Sequence, residues 1–379
     1  MRASLISAAL VAALVGFAST IALVLAAAAA VGATPGQTAS WVFAVCLAKA
    51  AGSAYLSWSQ RIPVVLAWST PGAALIAASS GHSMGGAVGA FLVTGGLIFL
   101  TGLIWPLGRL IGMIPKGIAA AMLGGVLLPF CLKVPAQALA LPAIVAPIIG
   151  VFLVVRLWSP AFAVLAALGT GLGLSWGMAL PDMAFALPAL TFIPPAFDLH
   201  SLIGLGLPLY LVTMASQNLP GFAVLQTAGY APPVRPALMV TGGLSAFAAL
   251  FGAHTVNMAA ITAAICLADD VHPDRSQRWK VGLVYGFFWL LLGLSGPLIL
   301  AALVTLPPEV MATVVGLALV NALIGALSAA FADPADRFAA AVTLIVTASG
   351  FAVFGIGVAF WGLAIELIIY SSERVKARS

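Results

Sequence analysis

The chain has 379 residues, of which 63% are hydrophobic and 7% charged, with a mean hydropathy of +1.18. A soluble domain carries roughly 25% charged residues, and 25 charged side chains cannot cover a water-soluble fold of this length. Soluble enzymes and secreted scaffolds are excluded, and the net charge of +5 is spread too thinly for a nucleic-acid surface, leaving a polytopic membrane protein.

Apolar runs follow one another from the N-terminus. Leu5–Val31 is about 27 residues, long enough to span and tilt and too long for a signal h-region. Thr38–Ser59, Ala87–Trp105, Ile114–Leu132, Pro135–Val154 and Leu157–Trp176 come next, then a Pro-rich linker over Gly177–Leu199. His200–Leu219, Pro236–Phe251, Val281–Val304, Glu309–Ala330 and the long block Phe338–Tyr370 complete the set. Two shorter segments, Ile62–Ser79 and Gly252–Leu267, fall below the usual span of about 20 residues. Cys46, Cys131 and Cys266 lie within or at the ends of apolar runs and read as small hydrophobes.

Charge sets the count. With a turn at Gly350 the chain has fourteen segments, both termini share a side, and thirteen basic residues fall inside against Lys133 outside. Arg374, Lys376 and Arg378 would lie on the wrong side of a thirteen-span arrangement. The linker divides the segments seven and seven, and an odd number per half inverts the second half, as in inverted-repeat transporters. The expected fold is therefore all-α, multi-pass in the inner membrane with both termini cytoplasmic. The two short segments stand third and tenth, at the same place in each half.

These two segments carry the candidate site. Pro63–Trp68 is β-branched and apolar and reads as extended chain, followed by Thr70-Pro71 as N-cap and first helical residue. Gly72 leaves room for close approach to the backbone, and only a half-helix fits before Gly81. In the tenth segment His254–Asn257 is polar and partly β-branched, with Thr255 and Asn257 as candidate N-caps of a second half-helix. Two helix N-termini facing each other near the midplane offer N–H groups and partial positive charge to an anion. Ser216, Gln217 and Asn218, just before Pro220-Gly221, either hydrogen-bond a carboxylate or hold helices together.

Ala67-Trp-Ser-Thr-Pro-Gly-Ala-Ala-Leu75, Val212-Thr-Met-Ala-Ser-Gln-Asn218 with Pro220-Gly221, Ala260-Ile-Thr-Ala-Ala-Ile-Cys266, His272-Pro-Asp274 with Arg278-Trp279, and Ala359-Phe-Trp-Gly-Leu363 resemble the benzoate/proton symporter (BenE) family. The similarity runs over essentially the whole chain and extends to the fold group of the uracil and sulfate permeases. It implies a core domain (residues 1–110 and 200–305), a gate domain (111–180 and 306–379, ending in a cytoplasmic tail) and a linker (181–199). It also implies an elevator-like movement of the core, with substrate bound between the third, eighth and tenth segments. Nucleobase permeases carry acidic residues there, whereas Ser216–Gln217 and His254 stand here, which favours an anionic substrate.

The expectation is proton-coupled uptake of benzoate or a related aromatic carboxylate, by a transporter and not an enzyme, with no cofactor, metal or nucleic-acid partner. The carboxylate would meet Ser69, Thr70, Gly72, Ala73, Gln217, Asn257 and Met258, with Ser216, Asn218, His254 and Thr255 nearby and Trp68, Phe222 and Phe251 around the ring. His254, whose imidazole titrates near neutral pH, and Lys49, a charge within the second span, are the proton-carrier candidates. For each a packing or snorkelling role stays open. Glu366 lies close enough to the inner interface to pair with Arg374, and Asp269, Asp270, His272 and Asp274 read as solvated salt bridges with Arg275 and Arg278. The alternatives are a nucleobase, sulfate or dicarboxylate substrate and, remotely, an intramembrane serine hydrolase built on Gly293-Leu-Ser-Gly296 and His254. The expected partners extend to a second copy of the chain, as a homodimer.

Overall fold

In a computed structural model the described residues are 2–104, 116–175, 187–269, 271–334 and 336–350, with 352–353, 356–357 and 361. The first apolar run forms α1 (Ala3–Ala18) and α2 (Ile21–Ala30), broken at Ser19-Thr20. α3 (Pro35–Gln60) opens with a full capping box: Thr34 accepts from the N–H of Gln37, whose side chain accepts from the N–H of Thr34. It ends at Arg61 in the left-handed region, φ 55°, and Arg61 lies over the Trp279 ring at 4.4 Å. The third segment is the strand β1 (Leu66–Trp68) and the half-helix α4 (Thr70–Ala77), and Ser83 caps α5 (Met84–Leu103).

α6 (Lys116–Ala140), α7 (Pro142–Trp158) and α8 (Pro160–Ser175) follow. The expected break between Leu132 and Pro135 is absent. α6 runs through Pro129 and Pro135, carries exposed Lys133 within it, and breaks only at Leu141, where Pro142 opens the next helix.

α9 (Leu199–Thr227) contains two π-helical turns, Leu202–Gly206 and Met214–Asn218. Each is soon followed by a proline, Pro208 and Pro220, whose missing N–H releases a carbonyl from the helical ladder. α10 (Val234–Ala249), the strand β2 (Val256–Met258) and the short helix α11 (Ile261–Leu267) complete the tenth segment. α12 (Lys280–Leu294) and α13 (Gly296–Val304) meet at 54°, where Pro297 interrupts the ladder. α14 (Pro308–Ala330) follows, and α15 (Arg337–Ala348) stops just ahead of Gly350, φ 73°, where the sequence places a turn. In the last expected span Ala352–Val353 pairs antiparallel with Ile356–Gly357 where helix is expected, and Glu366 with most of that span lies outside the described residues, as do Arg109, Asp270 and Arg374.

Two helix pairs carry most of the packing near the site. α3 lies along α12, and α10 lies along α5. In the second pair the backbones nearly touch: a Cβ on Gly95 would meet the Ala246 nitrogen at 2.5 Å, the close approach that small residues permit in membranes. α6 packs with α14 and α15, and it also crosses α4 and the second π-helical turn of α9.

Candidate functional site

β1 and β2 pair antiparallel, with Leu66 opposite Met258, Ala67 opposite Asn257 and Trp68 opposite Val256. Two strands inside a membrane leave edge N–H and C=O groups that lipid cannot satisfy. Serines supply the partners. Ser57 accepts from the N–H of Val64 at 3.0 Å and donates to its carbonyl at 2.7 Å; Ser53 accepts from the N–H of Leu66 at 3.0 Å. Ser245 of α10 does the same for Val256, accepting its N–H at 2.8 Å and donating to its carbonyl at 3.2 Å.

The α3 side follows a simple spacing rule. Four helical residues rise about 6 Å and two strand residues about 6.6 Å. Ser57, Ser53 and Lys49 thus step along α3 in register with Val64, just ahead of β1, and with Leu66 and Trp68 on β1.

Antiparallel pairing sets the starts of the two half-helices at opposite ends of the ribbon, α4 leaving one end and α11 the other. The N-cap of α4 is Ser69, not Thr70: its Oγ accepts from the N–H of Gly72 at 3.0 Å, and its carbonyl accepts from the N–H of Ala73 at 2.7 Å. Thr255 and Asn257 are not N-caps either, because the strand continues to Met258 and α11 starts at Ile261 without a side-chain cap. The N–H of Met258 is also engaged, by Asn218 Oδ1 at 2.9 Å. All three backbone donors assigned above to the carboxylate therefore have partners within the protein. Gly72 serves packing: a Cβ there would meet Leu209 Cδ1 at 2.5 Å and Ser69 Oγ at 2.7 Å.

Side chains tie the third, eighth and tenth segments together. Thr213 donates to Ser69 Oγ at 3.1 Å and lies 3.0 Å from Thr255 Oγ1. Having one hydroxyl hydrogen, Thr213 accepts from Thr255 when it donates to Ser69. Asn257 Nδ2 donates to Gln217 Oε1 at 3.3 Å and to the Met258 carbonyl at 2.9 Å. Thr70 and Thr20 share a hydrogen bond of 2.8 Å. Thr70, Ser216 and Gln217 are half-buried, the remaining polar groups here buried. Thr20, Thr213 and Trp41 escaped the sequence-based selection of site residues. The Ser19-Thr20 pair inside an apolar run was the available signal for the first.

His254 is fully buried, and its Nδ1 accepts from the indole N–H of Trp41 at 2.9 Å. Nδ1 being the acceptor, the neutral ring carries its hydrogen on Nε2, and Nε2 has no hydrogen-bond partner among the described residues. Lys49 is fully buried between two indoles, with Nζ 2.8 Å from the Trp289 centroid and 4.5 Å from that of Trp68, again without a hydrogen-bond partner. The aromatic residues expected around a bound ring are separated. Trp68 packs with Phe17 and Trp289, at 5.5 and 5.2 Å between centroids, and donates to the Gly16 carbonyl. Phe251 packs on Phe247, and Phe222 is buried on α9. Trp68 turns away because strand side chains alternate: Leu66 and Trp68 meet α3, and half-buried Ala67 takes the opposite face with Asn257.

At the loop before α12, Arg278 meets the Asp269 carboxylate at 2.9 Å and the His272 carbonyl at 2.7 Å. The hydroxyl and N–H of Ser276 hold the Asp274 carboxyl below its usual range. No group of three metal-ligating side chains occurs among the described residues. Ser295 is exposed at the α12–α13 bend whereas His254 is buried against Trp41, so the two form no catalytic pair.

The profile of the family described as "Benzoate membrane transport protein", BenE, matches residues 1–371. The chain belongs to the BenE family. Inner membrane protein YdcO of Escherichia coli is 40% identical over 361 residues, covering 94% of this chain and 92% of that protein. The benzoate membrane transport protein of Acinetobacter baylyi is 33% identical over 335 residues, covering 87% and 85%. In fold, this BenE-family chain is similar to the transmembrane domain of a cyanobacterial bicarbonate transporter, BicA, with TM-score 0.62, 13% identity and coverage of 96% and 98%. It is similar also to murine Solute Carrier 26 family member A9, an anion transporter, with TM-score 0.62, 12% identity and coverage of 98% and 69%. The BenE-family protein is thus a largely helical, multi-pass membrane transporter, and not an enzyme.

Proposed function

We propose that this transporter carries benzoate or a related aromatic carboxylate into the cell together with protons. The observation that carries the reading is a concentration of unanswered polar atoms around the β1–β2 ribbon. Lys49 Nζ, His254 Nε2, Asn257 Oδ1 and Trp289 Nε1 are all buried without hydrogen-bond partners among the described residues. Such atoms are rare in folded proteins and cost about 1–3 kcal/mol each. A fold that gathers them at its midplane keeps polarity there for a ligand.

The carboxylate enters on the face of Ala67 and Asn257, where half-buried Thr70, Ser216 and Gln217 supply hydroxyl and amide donors. The partial positive charge at the start of α4 adds attraction although its first N–H groups are engaged. No acidic residue occurs before Asp182, so nothing in the first half of the chain repels an anion. Proton coupling follows from the membrane potential: an anion entering a negative cell works against about 2.3 kcal/mol per charge per 100 mV. One proton cancels that charge.

Movement is of the elevator type, with α1–α5 and α9–α13 as the core and α6–α8, α14 and α15 as the gate. The pairing of α3 with α12 and of α10 with α5 supports a seven-plus-seven inverted repeat, since second-with-eleventh and ninth-with-fourth are equivalent pairs under that symmetry. α6, lying across α4 and the Met214–Asn218 turn, is the surface past which the site slides. Both termini lie on the cytoplasmic side: Arg2, His272 and Lys280 line one surface cavity of about 320 Å³, in keeping with the inside position of basic residues. Uptake of labelled benzoate by proteoliposomes with an inward proton gradient tests the reading. Uptake indifferent to a protonophore removes the coupling, and equal competition by uracil or sulfate removes the substrate class.

A further inference from the structure

We propose that Lys49 takes up the co-transported proton, and that it does so when a substrate anion occupies the opposite face of the β1–β2 ribbon. The proposal rests on the proton-coupled transport just described and names the group that performs the coupling.

Three observations carry it. First, Lys49 is sealed: its side chain is fully buried, Nζ has no hydrogen-bond partner, and the indoles of Trp68 and Trp289 close over it. Aromatic faces attract an ammonium ion, yet they neutralise none of its charge. Second, no carboxylate is built in beside it among the described residues. Among the described residues, the titratable groups that interact with it are Cys46 on its own helix and His254 just ahead of β2, with Tyr285 of α12 beside Trp289. Third, its place is set by register. Lys49 is the third step of the Ser57–Ser53–Lys49 series, and it meets Trp68 where the two serines meet strand backbone. Trp68 immediately precedes Ser69, the cap of α4, and Ala67 on the other face pairs with Asn257.

An ammonium ion at this depth lacks a counter-charge until an anion arrives at the Ala67–Asn257 face. In a medium of low dielectric constant the two charges then attract strongly across one strand. Each therefore strengthens the binding of the other by the same factor, because coupling between two binding events is reciprocal. The amine lone pair accepts a proton from the outer solution and returns it to the inner one. No bond in the substrate forms or breaks, and one anion crosses with one proton.

His254 is less suited to the task. Protonation would place a hydrogen on Nδ1, the atom that now accepts from Trp41, and would break that bond.

The test uses purified full-length protein in proteoliposomes and compares wild type with Lys49→Met, Lys49→Gln and Lys49→Arg. Benzoate counterflow reads binding and carrier movement without a driving gradient; accumulation under an inward proton gradient and acidification of a luminal pH dye read coupling. The expected result is counterflow that persists at raised benzoate concentration in Lys49→Met and Lys49→Gln, with accumulation and benzoate-dependent proton entry both lost. Calorimetry in buffers of different ionisation enthalpy provides a second measurement on wild type alone, expected to show proton uptake on benzoate binding. Wild-type pH dependence and proton entry in Lys49→Met overturn the proposal. So does benzoate binding to wild type without proton uptake, and so does loss of counterflow in all three variants with unchanged thermal unfolding. Absence of any benzoate counterflow in wild type strikes the transport reading itself, and is thereby distinguished from failure of Lys49.

Discussion

The indole N–H of Trp41 donates to Nδ1 of His254 across 2.9 Å, joining α3 to the residue just ahead of β2. Both residues are fully buried, so the bond competes with no water. It fixes which ring nitrogen carries hydrogen and makes His254 a structural partner of the ribbon.

Trp41→Phe leaves Nδ1 without a donor. Loss of a buried partner of this kind is expected to destabilise by about 1–3 kcal/mol, seen as a lower thermal midpoint in detergent. His254→Asn offers an amide oxygen in place of Nδ1. It is expected to keep both the midpoint and proton-driven benzoate accumulation, whereas His254→Ala lowers the midpoint. A collapse of accumulation in a stable His254→Asn protein would return the proton to the imidazole.

Ser53 and Ser57 supply hydrogen bonds that β1 cannot find in lipid. Ser53→Ala orphans the N–H of Leu66, and Ser57→Ala orphans the carbonyl of Val64, whose N–H keeps the Ile62 carbonyl at 2.9 Å, so each is expected to lower the thermal midpoint. Each unmet group costs about 1–3 kcal/mol. An unchanged midpoint in either variant would count against this account.

Thr213 links Ser69 to Thr255, and through them the eighth segment to the third and tenth. Thr213→Val keeps the volume and removes the hydroxyl. The expected effect is a raised KM for benzoate uptake with Thr213→Ser close to wild type. A Thr213→Val protein with unchanged uptake kinetics would remove the hydroxyl link from the site.

Gly72→Ala drives a methyl into Leu209 and Ser69. Overpacking of this sort costs about 1–3 kcal/mol. Adding Leu209→Ala relieves one of the two collisions, so a double-mutant cycle by thermal unfolding is expected to show positive coupling between positions 72 and 209. Additive effects would place the strain elsewhere.

Outside the spans, His82 stacks on His200 at 4.5 Å and contacts Ser201 Oγ through Nδ1. Burial first, and His200 next, push His82 below the usual histidine value, against a smaller opposing pull from Asp198. The unfolded chain takes up a proton near pH 6.5, about the unperturbed value, and the folded chain only at lower pH. This contribution to stability is complete above that value and declines as pH falls below it. His82→Asn, which preserves an acceptor for Ser201, is expected to flatten the acid side of the thermal midpoint profile. An unchanged profile would assign the dependence to other groups.

Much of the fold was legible because bilayer thickness and backbone chemistry leave few choices. Apolar runs of span length gave the helices, and the β-branched stretch before Thr70-Pro71 gave β1. Prolines misled at the fifth segment, where α6 passes through Pro129 and Pro135, since neighbouring helices re-satisfy a carbonyl that proline leaves free. The site was legible in its segments and not in its contacts. Ser69 caps α4 in place of Thr70 because only its side chain reaches back to the N–H of Gly72. Trp68 was read as lining a ligand pocket, yet strand alternation turns it to α3 and Lys49.

Taken alone, the scarcity and placement of charge determined that this is a membrane protein, how its segments are ordered, and that its first half carries no carboxylate before Asp182. Those are properties of composition and spacing, which local chain physics fixes. Tertiary structure decided which polar groups satisfy one another and which stay unmet. Lys49 and Trp289 lie 240 positions apart, and their contact exists only because α3 packs along α12. Hydrogen-bond partnership depends on distances of a few ångströms between remote segments, and no periodicity within one segment encodes it.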